Sequence, residues 1–344
     1  RPCPIINRMS RYRFRAGHPY PVGHCLIPSL SFLFVLKVDF FSKTLKSTGG
    51  KLMSPPYGKK RLFPSALEDA HTAKQRSDLP QCQSAAYKLA FQDNDFLLRD
   101  ELRPVRLQLE LLKPELVLNE YGVKSTVVIY GSARTKDPDV AADHLATIRD
   151  RIKDEGVTEA LEKALKKAER DLNHSHYYRE ARQLAALVSQ NTEKNKLMVV
   201  TGGGPGIMEA ANRGADDVGG KSIGLNIVLP LEQQPNAYIT PELCFQFHYF
   251  AIRKMQFLMR AKSLVAFPGG FGTMDELFET LTLIQTHKIK PIPILLFGRD
   301  FWEQVINFET LIDQGTISPG DIDIFRFVDT AEDAWHAIKQ ANHL

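Results

Sequence analysis

The chain has 344 residues, 43% hydrophobic and 24% charged, enough for one large α/β domain or two smaller ones with ample core. Its formal net charge of +4 is concentrated at one end: residues 1–53 hold nine Lys/Arg and one acid, Asp39, so the remainder is net acidic. That balance does not indicate a basic nucleic-acid-binding face for the folded part, and no run reaches the roughly 18 apolar residues of a membrane span.

Residues 1–53 are Arg-rich and contain one apolar run, Leu30–Leu36, which is the outline of a targeting peptide. The plainer reading is upstream or artefactual sequence, because the chain begins at Arg1 and Met53 would serve as a start. Residues 54–84 are polar with prolines and are expected to form a poorly ordered arm. Residues 1–84 are thus read as an N-terminal extension and 85–344 as a single domain. Cys3, Cys25, Cys82 and Cys244 are far apart and have no metal spacing. They predict isolated thiols in a reducing compartment, the cytoplasm, and no metal site. His174 and His176 have no partner cluster and are expected on the surface.

From Ser84 to Leu118 apolar residues recur at three- and four-residue steps, with expected breaks at Pro104 and Pro114. Thr126–Tyr130 is the first strand, followed by Gly131-Ser132-Ala133-Arg134. Asp139–Gln190 is charged and helix-compatible; its middle, Asp150–Arg170, reads as a solvated helical hairpin, part of an insertion near 137–176. Strands are predicted at Lys196–Thr201, Lys221–Val228, Leu264–Phe267, Pro291–Phe297 and Ile324–Val328. Helices are predicted at Glu209–Asp217, Phe247–Ala261, Glu276–Thr286 and Trp302–Gly315, with a last one from Ala331. The alternation predicts an α/β, Rossmann-like, doubly wound and mostly parallel sheet with helices on both faces.

Three turns follow strands: Gly131-Ser132, Gly202–Gly206 and Gly269–Thr273. Ligands of such sheets bind outside the strand carboxyl ends, so all three are expected on one rim. Neither the dinucleotide fingerprint nor the Walker A spacing is met, since Ile207 and Glu209 stand where glycines are needed and no Gly-Lys-Ser/Thr follows. A phosphate site for a mononucleotide survives. Thr273-x-x-Glu276 fits a capping box, with Thr273 as N-cap. Arg253 and Lys254 lie on a helix so apolar (Tyr249, Phe250, Ile252, Met255, Phe257, Leu258) that it is expected to be buried, and a buried Arg needs an acidic or phosphate partner.

The combination of Gly202–Gly206 with Glu209, Arg253-Lys254, and Pro-Gly-Gly-x-Gly-Thr-x-x-Glu at 268–276 resembles the Lonely Guy (LOG) family over about residues 120–330. The resemblance implies a Rossmann-like homodimer. Its implied reaction is cleavage of the N-glycosidic bond of AMP or cytokinin riboside 5′-monophosphates to free base and ribose 5-phosphate. By position, Arg253 and Glu276 match the family's catalytic pair. The resemblance also implies substrate contacts from Gly131, Ser132, Gly203, Gly204, Gly206, Glu209, Lys254, Gly269, Gly270, Gly272, Thr273, Asp275 and Thr282. Glu209 stands where short plant-type members have glycine, Asp275 replaces a usual glutamate, and the insertion and extension resemble the larger bacterial branch. No metal and no cofactor is implied, and neither a nucleic acid nor a membrane is an expected partner. A Schiff-base role for Lys254 is rejected for lack of a dedicated pyridoxal phosphate site. Two alternatives stay open: a non-catalytic nucleotide carrier or sensor of the same fold, and a broader nucleotide 5′-monophosphate nucleosidase.

Overall fold

The structure, a computed structural model, describes residues 63–73, 78–191, 197–230 and 234–344. The chain divides into two compact units, Arg1–Pro64 and Ser65–Leu344. The expectations for residues 1–53 lie outside the described residues, and so do Cys3 and Cys25; Cys244 is a free thiol.

The second unit starts with three short helices, α1 (Ala66–Thr72), α2 (Pro80–Gln83) and α3 (Asn94–Leu97), before α4 (Arg103–Glu120). It continues through β1 (Ser125–Tyr130), α5 (Pro138–Glu155), α6 (Glu159–His174), α7 (His176–Gln190), β2 (Leu197–Thr201), α8 (Ile207–Asp216) and β3 (Ser222–Ile227). Then come β4 (Cys244–Phe247), α9 (Phe250–Met259), β5 (Ala261–Ala266), α10 (Phe271–Gln285) and β6 (Ile294–Phe297). The last elements are α11 (Arg299–Val305), α12 (Phe308–Asp313), β7 (Phe325–Val328) and α13 (Ala331–Asn342).

The strands form one seven-stranded sheet in the order β4-β3-β2-β1-β5-β6-β7, and every pairing is parallel. The chain winds outward from β1 to β4, returns to lay β5 against the other side of β1, and winds outward again. The switch point therefore falls between β1 and β5, where an open parallel sheet leaves its crevice. Residues alternate between two buried cores, as a pleated strand covered on both faces requires. Val127 and Ile129 face a core closed by Leu184 and Val188 of α7, Ile207 of α8 and Ile338 of α13. Val128 and Tyr130 face one closed by Leu118 of α4, Phe257 of α9, Leu277 of α10 and Trp302 of α11. The sheet is thus doubly wound, and all-parallel among the described residues rather than mostly so.

Three local expectations are corrected. Pro114 does not break α4, which runs through it with Pro114 buried. Packing on α9 outweighs the ~3 kcal/mol that an internal proline costs a helix: Arg260 grips Glu115, and Gln256 donates to the Leu111 carbonyl at 3.0 Å. The single helix expected over Trp302–Gly315 is two, because the Asn307 side chain accepts the Thr310 N–H and starts a new helix, α12. In the charged region, α5 and α6 make a helical hairpin, and α7, which follows it, buries Tyr178, Ala181, Leu184, Ala185 and Val188 in the core. Finally, α10 begins at Phe271 with Gly270 as N-cap and no side-chain cap. The Thr273–Glu276 capping box does not form. Thr273 sits inside the first turn with its hydroxyl packed against Gly269, where a Cβ would stand 2.1 Å away.

Candidate active site

A cavity of about 600 Å³ opens at the carboxyl ends of β1, β2 and β3 and at the turn after β5. Three turns build it. Ser132 donates its N–H to the Pro268 carbonyl at 3.0 Å, which joins the turn after β1 to the glycine-rich turn after β5. Ile207 donates its N–H to the Ser132 carbonyl at 3.1 Å, which joins the first of these to the Gly202–Gly206 turn.

The Gly202–Gly206 turn needs its glycines. Gly203 has φ +75° and a Cβ there would strike Asn226; Gly206 has φ +72° and a Cβ would lie 2.3 Å from the Ser132 carbonyl oxygen. The turn is held from beneath by a buried amide network. Thr201 donates its hydroxyl to Asn212 Oδ1 (2.7 Å) and accepts the Gly203 N–H (3.0 Å). Asn212 donates to Ser222 Oγ at 2.9 Å. Asn236, in the loop after β3, places its side-chain amide 3.2 Å from the Gly203 carbonyl and 3.0 Å from the Gly204 carbonyl.

The other rim is the start of α10. A helix leaves its first N–H groups without intrahelical partners, and here those groups belong to Phe271, Gly272 and Thr273 on the cavity wall. Gly270 and Gly272 have open space where a Cβ would stand, so a ligand can approach the backbone closely.

Between the rims lies a buried ion pair. Arg253 and Glu276 side chains are 13% and 9% exposed, with Nη1 and Oε1 3.9 Å apart. Arg253 also donates through Nε to the Leu225 carbonyl at 2.7 Å and lies over the Phe257 ring. The sequence placed Arg253 on α9 but not the support for that helix. Glu110 of α4 accepts the His248 and Tyr249 N–H groups at 2.5 and 3.1 Å and so holds the N-terminus of α9. Burial raises the Glu276 carboxyl to about 7, against the pull of Arg253 and Lys254. Burial likewise pulls the Arg253 guanidinium below its ordinary value, with Glu276 and Tyr130 acting in the opposite sense. The Tyr130 hydroxyl is pushed up by burial first and by Glu276 second, so it stays protonated beside the pair.

Of the residues singled out from the sequence, Gly131, Ser132, Gly204, Arg253, Gly270, Gly272, Thr273, Asp275 and Glu276 line the cavity. Gly203, Gly206 and Gly269 shape the turns behind it. Lys254 is engaged by Asp275 (2.8 Å) and Glu279 (3.1 Å). Glu209 accepts the Tyr178 hydroxyl at 2.9 Å and is thereby tied to α7. Thr282 is exposed and donates to the Phe278 carbonyl in its own helix. Wall residues not foreseen include Arg134, Met208, Asn226, Phe250 and Phe271. Their one sequence signal is position at a strand end or a helix start. His174 and His176 are exposed, as expected, and no cluster of metal-ligating side chains occurs among the described residues. No helix among those residues is long and apolar enough to cross a membrane.

A family model described as "Possible lysine decarboxylase" matches residues 208–338. The chain is 30% identical over 151 residues to the cytokinin riboside 5′-monophosphate phosphoribohydrolase LOG2 of Arabidopsis thaliana, covering 42% of this chain and 67% of that protein. It is 29% identical over 157 residues to the rice (Oryza sativa subsp. japonica) protein named "Probable cytokinin riboside 5′-monophosphate phosphoribohydrolase LOGL5", covering 44% of this chain and 62% of that one. The match thus spans about two thirds or less of these relatives' own length. Among solved structures, the molybdenum cofactor carrier protein of Chlamydomonas reinhardtii aligns with 64% of this chain and 99% of its own, at 17% identity and a TM-score of 0.37. The chain belongs to the Lonely Guy family.

Proposed function

We propose that the protein hydrolyses the N-glycosidic bond of purine nucleoside 5′-monophosphates, AMP or its N6-modified cytokinin counterpart, to free base and ribose 5-phosphate. The observation that carries this reading is the buried Arg253–Glu276 pair on the wall of a crevice rimmed by unpartnered amides. Departure of a purine develops positive charge on the ribose, as in glycoside hydrolysis. A desolvated carboxylate whose pKa lies near 7 suits that chemistry, because in its ionised form it stabilises the ribose cation or takes the proton of the attacking water. Arg253, held by Leu225, stabilises negative charge on the departing base or on phosphate. Lys254 holds Asp275 on the wall and Glu279 behind it.

The test is Glu276→Gln, which preserves shape and removes the charge. Ribose 5-phosphate release from AMP is expected to fall by roughly 10³-fold or more, with AMP binding retained. Undiminished turnover would remove Glu276 from the reaction. A wild-type protein that binds AMP and releases no base from AMP or N6-isopentenyl-AMP would be a carrier or sensor.

The working form is proposed to be a homodimer in the cytoplasm. Supporting the dimer, Leu109, Leu112 and Leu116 make an exposed apolar stripe along α4, next to exposed Met255 and Met259 of the adjoining α9.

A further inference from the structure

Among the described residues, two cations stand on the cavity wall, Arg134 and Arg253. Arg253 is already engaged, through Nε with the Leu225 carbonyl and through Nη1 with Glu276. Just behind the wall, Lys254 is shared by Asp275 and Glu279. Without Arg134, three carboxylates therefore face two cations before any ligand enters. A phosphate dianion added to that set would meet a net negative field, in a partly desolvated crevice where such repulsion is weakly screened.

Arg134 lies in the turn directly after β1, beside the switch point. Its N–H donates to Ser132 Oγ at 3.1 Å, which fixes the turn, while its side chain is exposed. Among the described residues no ion pair or hydrogen bond takes up its guanidinium. An exposed arginine is ordinarily a solvated surface group. This one is set apart by its place: the Ser132–Pro268 hydrogen bond joins its turn to the glycine-rich turn that starts α10. The guanidinium and the first N–H groups of α10 thus belong to two turns stitched together at 3.0 Å, with open space over Gly270 and Gly272.

We propose that Arg134 is the cation that grips the 5′-phosphate, opposite charge and forked donors on one side and the α10 amides on the other, leaving Arg253 and Glu276 free for the glycosidic bond. The assignment rests on the phosphoribohydrolase reading above. It makes Arg134 the residue that separates nucleotides from nucleosides, because a nucleoside has nothing for it to hold.

The experiment compares wild type, Arg134→Ala and Arg134→Lys with AMP and with adenosine, measuring base release and, by titration calorimetry, binding. Arg134→Ala is expected to raise KM for AMP roughly 10- to 100-fold with kcat within about threefold, to weaken AMP binding in parallel, and to leave adenosine cleavage and binding unchanged. Arg134→Lys, which keeps the charge and loses the fork, is expected to recover part of the loss. An unchanged KM for AMP in Arg134→Ala, or an equal loss with adenosine, overturns the assignment while leaving the hydrolase reading intact. If wild type binds AMP without cleaving it, the hydrolase reading falls and the calorimetric comparison still decides Arg134. If wild type does not bind AMP, both fall.

Discussion

The Arg253 guanidinium and the Glu276 carboxylate are buried within 3.9 Å of each other, yet burial drives both toward their neutral forms. Desolvation costs more than the pair recovers at that distance, as is common for buried ion pairs. The arrangement is a poor stabiliser and a good catalytic setting, since it holds a carboxylate near the pH at which it has to work.

Two pH dependences follow from Glu276. If the ionised carboxylate is the active form, kcat/KM for AMP rises with pH and levels off above about 7. Stability runs the other way. A carboxyl raised from 4.5 to about 7 binds more protons folded than unfolded between those values, so it costs nothing below about 4.5 and its full penalty above about 7. That penalty is on the order of 3 kcal/mol. Glu276→Gln is therefore expected to be inactive yet more stable than wild type at pH 8, with the difference shrinking as pH falls toward 4.5. Denaturant melts at pH 5, 6, 7 and 8 check this; a variant less stable at pH 8 would contradict it.

The amide network under the Gly202–Gly206 turn makes a second prediction. Asn212 has no exposed surface and joins Thr201, Ser222 and Asn236. Removing its amide strands those partners in a dry site, where each unsatisfied group costs about 1–3 kcal/mol. Asn212→Ala is expected to lose ~2–4 kcal/mol in urea melts and to raise KM for AMP, because the turn loses its support. A variant of normal stability and normal KM would show the network to be dispensable.

What the sequence revealed and what it withheld divide along physical lines. The β-branched runs such as Val127-Val128-Ile129 announced buried parallel strands, and glycines at the strand ends announced close backbone approaches. Arg253 was legible as a buried cation from the apolar run around it, although that helix is only partly buried and not wholly so as expected: Phe250, Met255 and Met259 are about half exposed. Of the misses, one is local and one is tertiary. The Thr273–Glu276 spacing suits a capping box, but the helix starts at Phe271 once Thr273 packs on Gly269. Pro114 is tolerated because α9 braces α4 through Arg260 and Gln256, 145 residues away in each case. Glu209, expected to meet substrate, also accepts the Tyr178 hydroxyl from α7, a contact the sequence did not suggest. Contacts over such separations leave no local pattern to read.

Two glycines of positive φ offer a controlled comparison. Gly122 (φ +68°) has nothing within 4 Å of a Cβ, whereas Gly206 (φ +72°) has the Ser132 carbonyl at 2.3 Å and the Ala133 backbone at 2.7 Å. Alanine at Gly122 bears a positive-φ backbone cost of roughly 1–2 kcal/mol, whereas Gly206, at φ 72° and ψ −129°, lies outside the left-handed helical well and costs alanine more. Only at Gly206 must backbone also move, and it is backbone that ties the β1 turn to the site. Gly122→Ala is expected to lower stability by about 1 kcal/mol with unchanged KM. Gly206→Ala is expected to lose at least ~3 kcal/mol and to bind AMP poorly. Equal effects of the two would mean that the turn yields more easily than its contacts imply.

The exposed stripe on α4 bears on assembly. Leu109, Leu112 and Leu116 recur at steps of three and four and so share one helix face, each of them more than half exposed. Leu118, on the opposite side, is 4% exposed and belongs to the core, so the stripe is not needed to fold the domain. Met255 and Met259 extend the apolar surface across α9, whose other side carries the buried Phe257. A second copy presenting the same face would cover both helices at once, which suits a two-fold contact. Leu112→Glu places a charge in the middle of the stripe. Wild type is expected to show twice the mass of one chain by light scattering, and Leu112→Glu the mass of one chain at the same concentration, with its far-UV circular dichroism unchanged. A wild type that stays monomeric at micromolar concentration, or a Leu112→Glu variant that still dimerises, would remove this face from the assembly. The outcome also bears on catalysis, since Glu110 on the same helix holds the N-terminus of α9 and with it Arg253. Loss of the dimer is expected to lower kcat where the cover of α4 is needed to keep that helix in place.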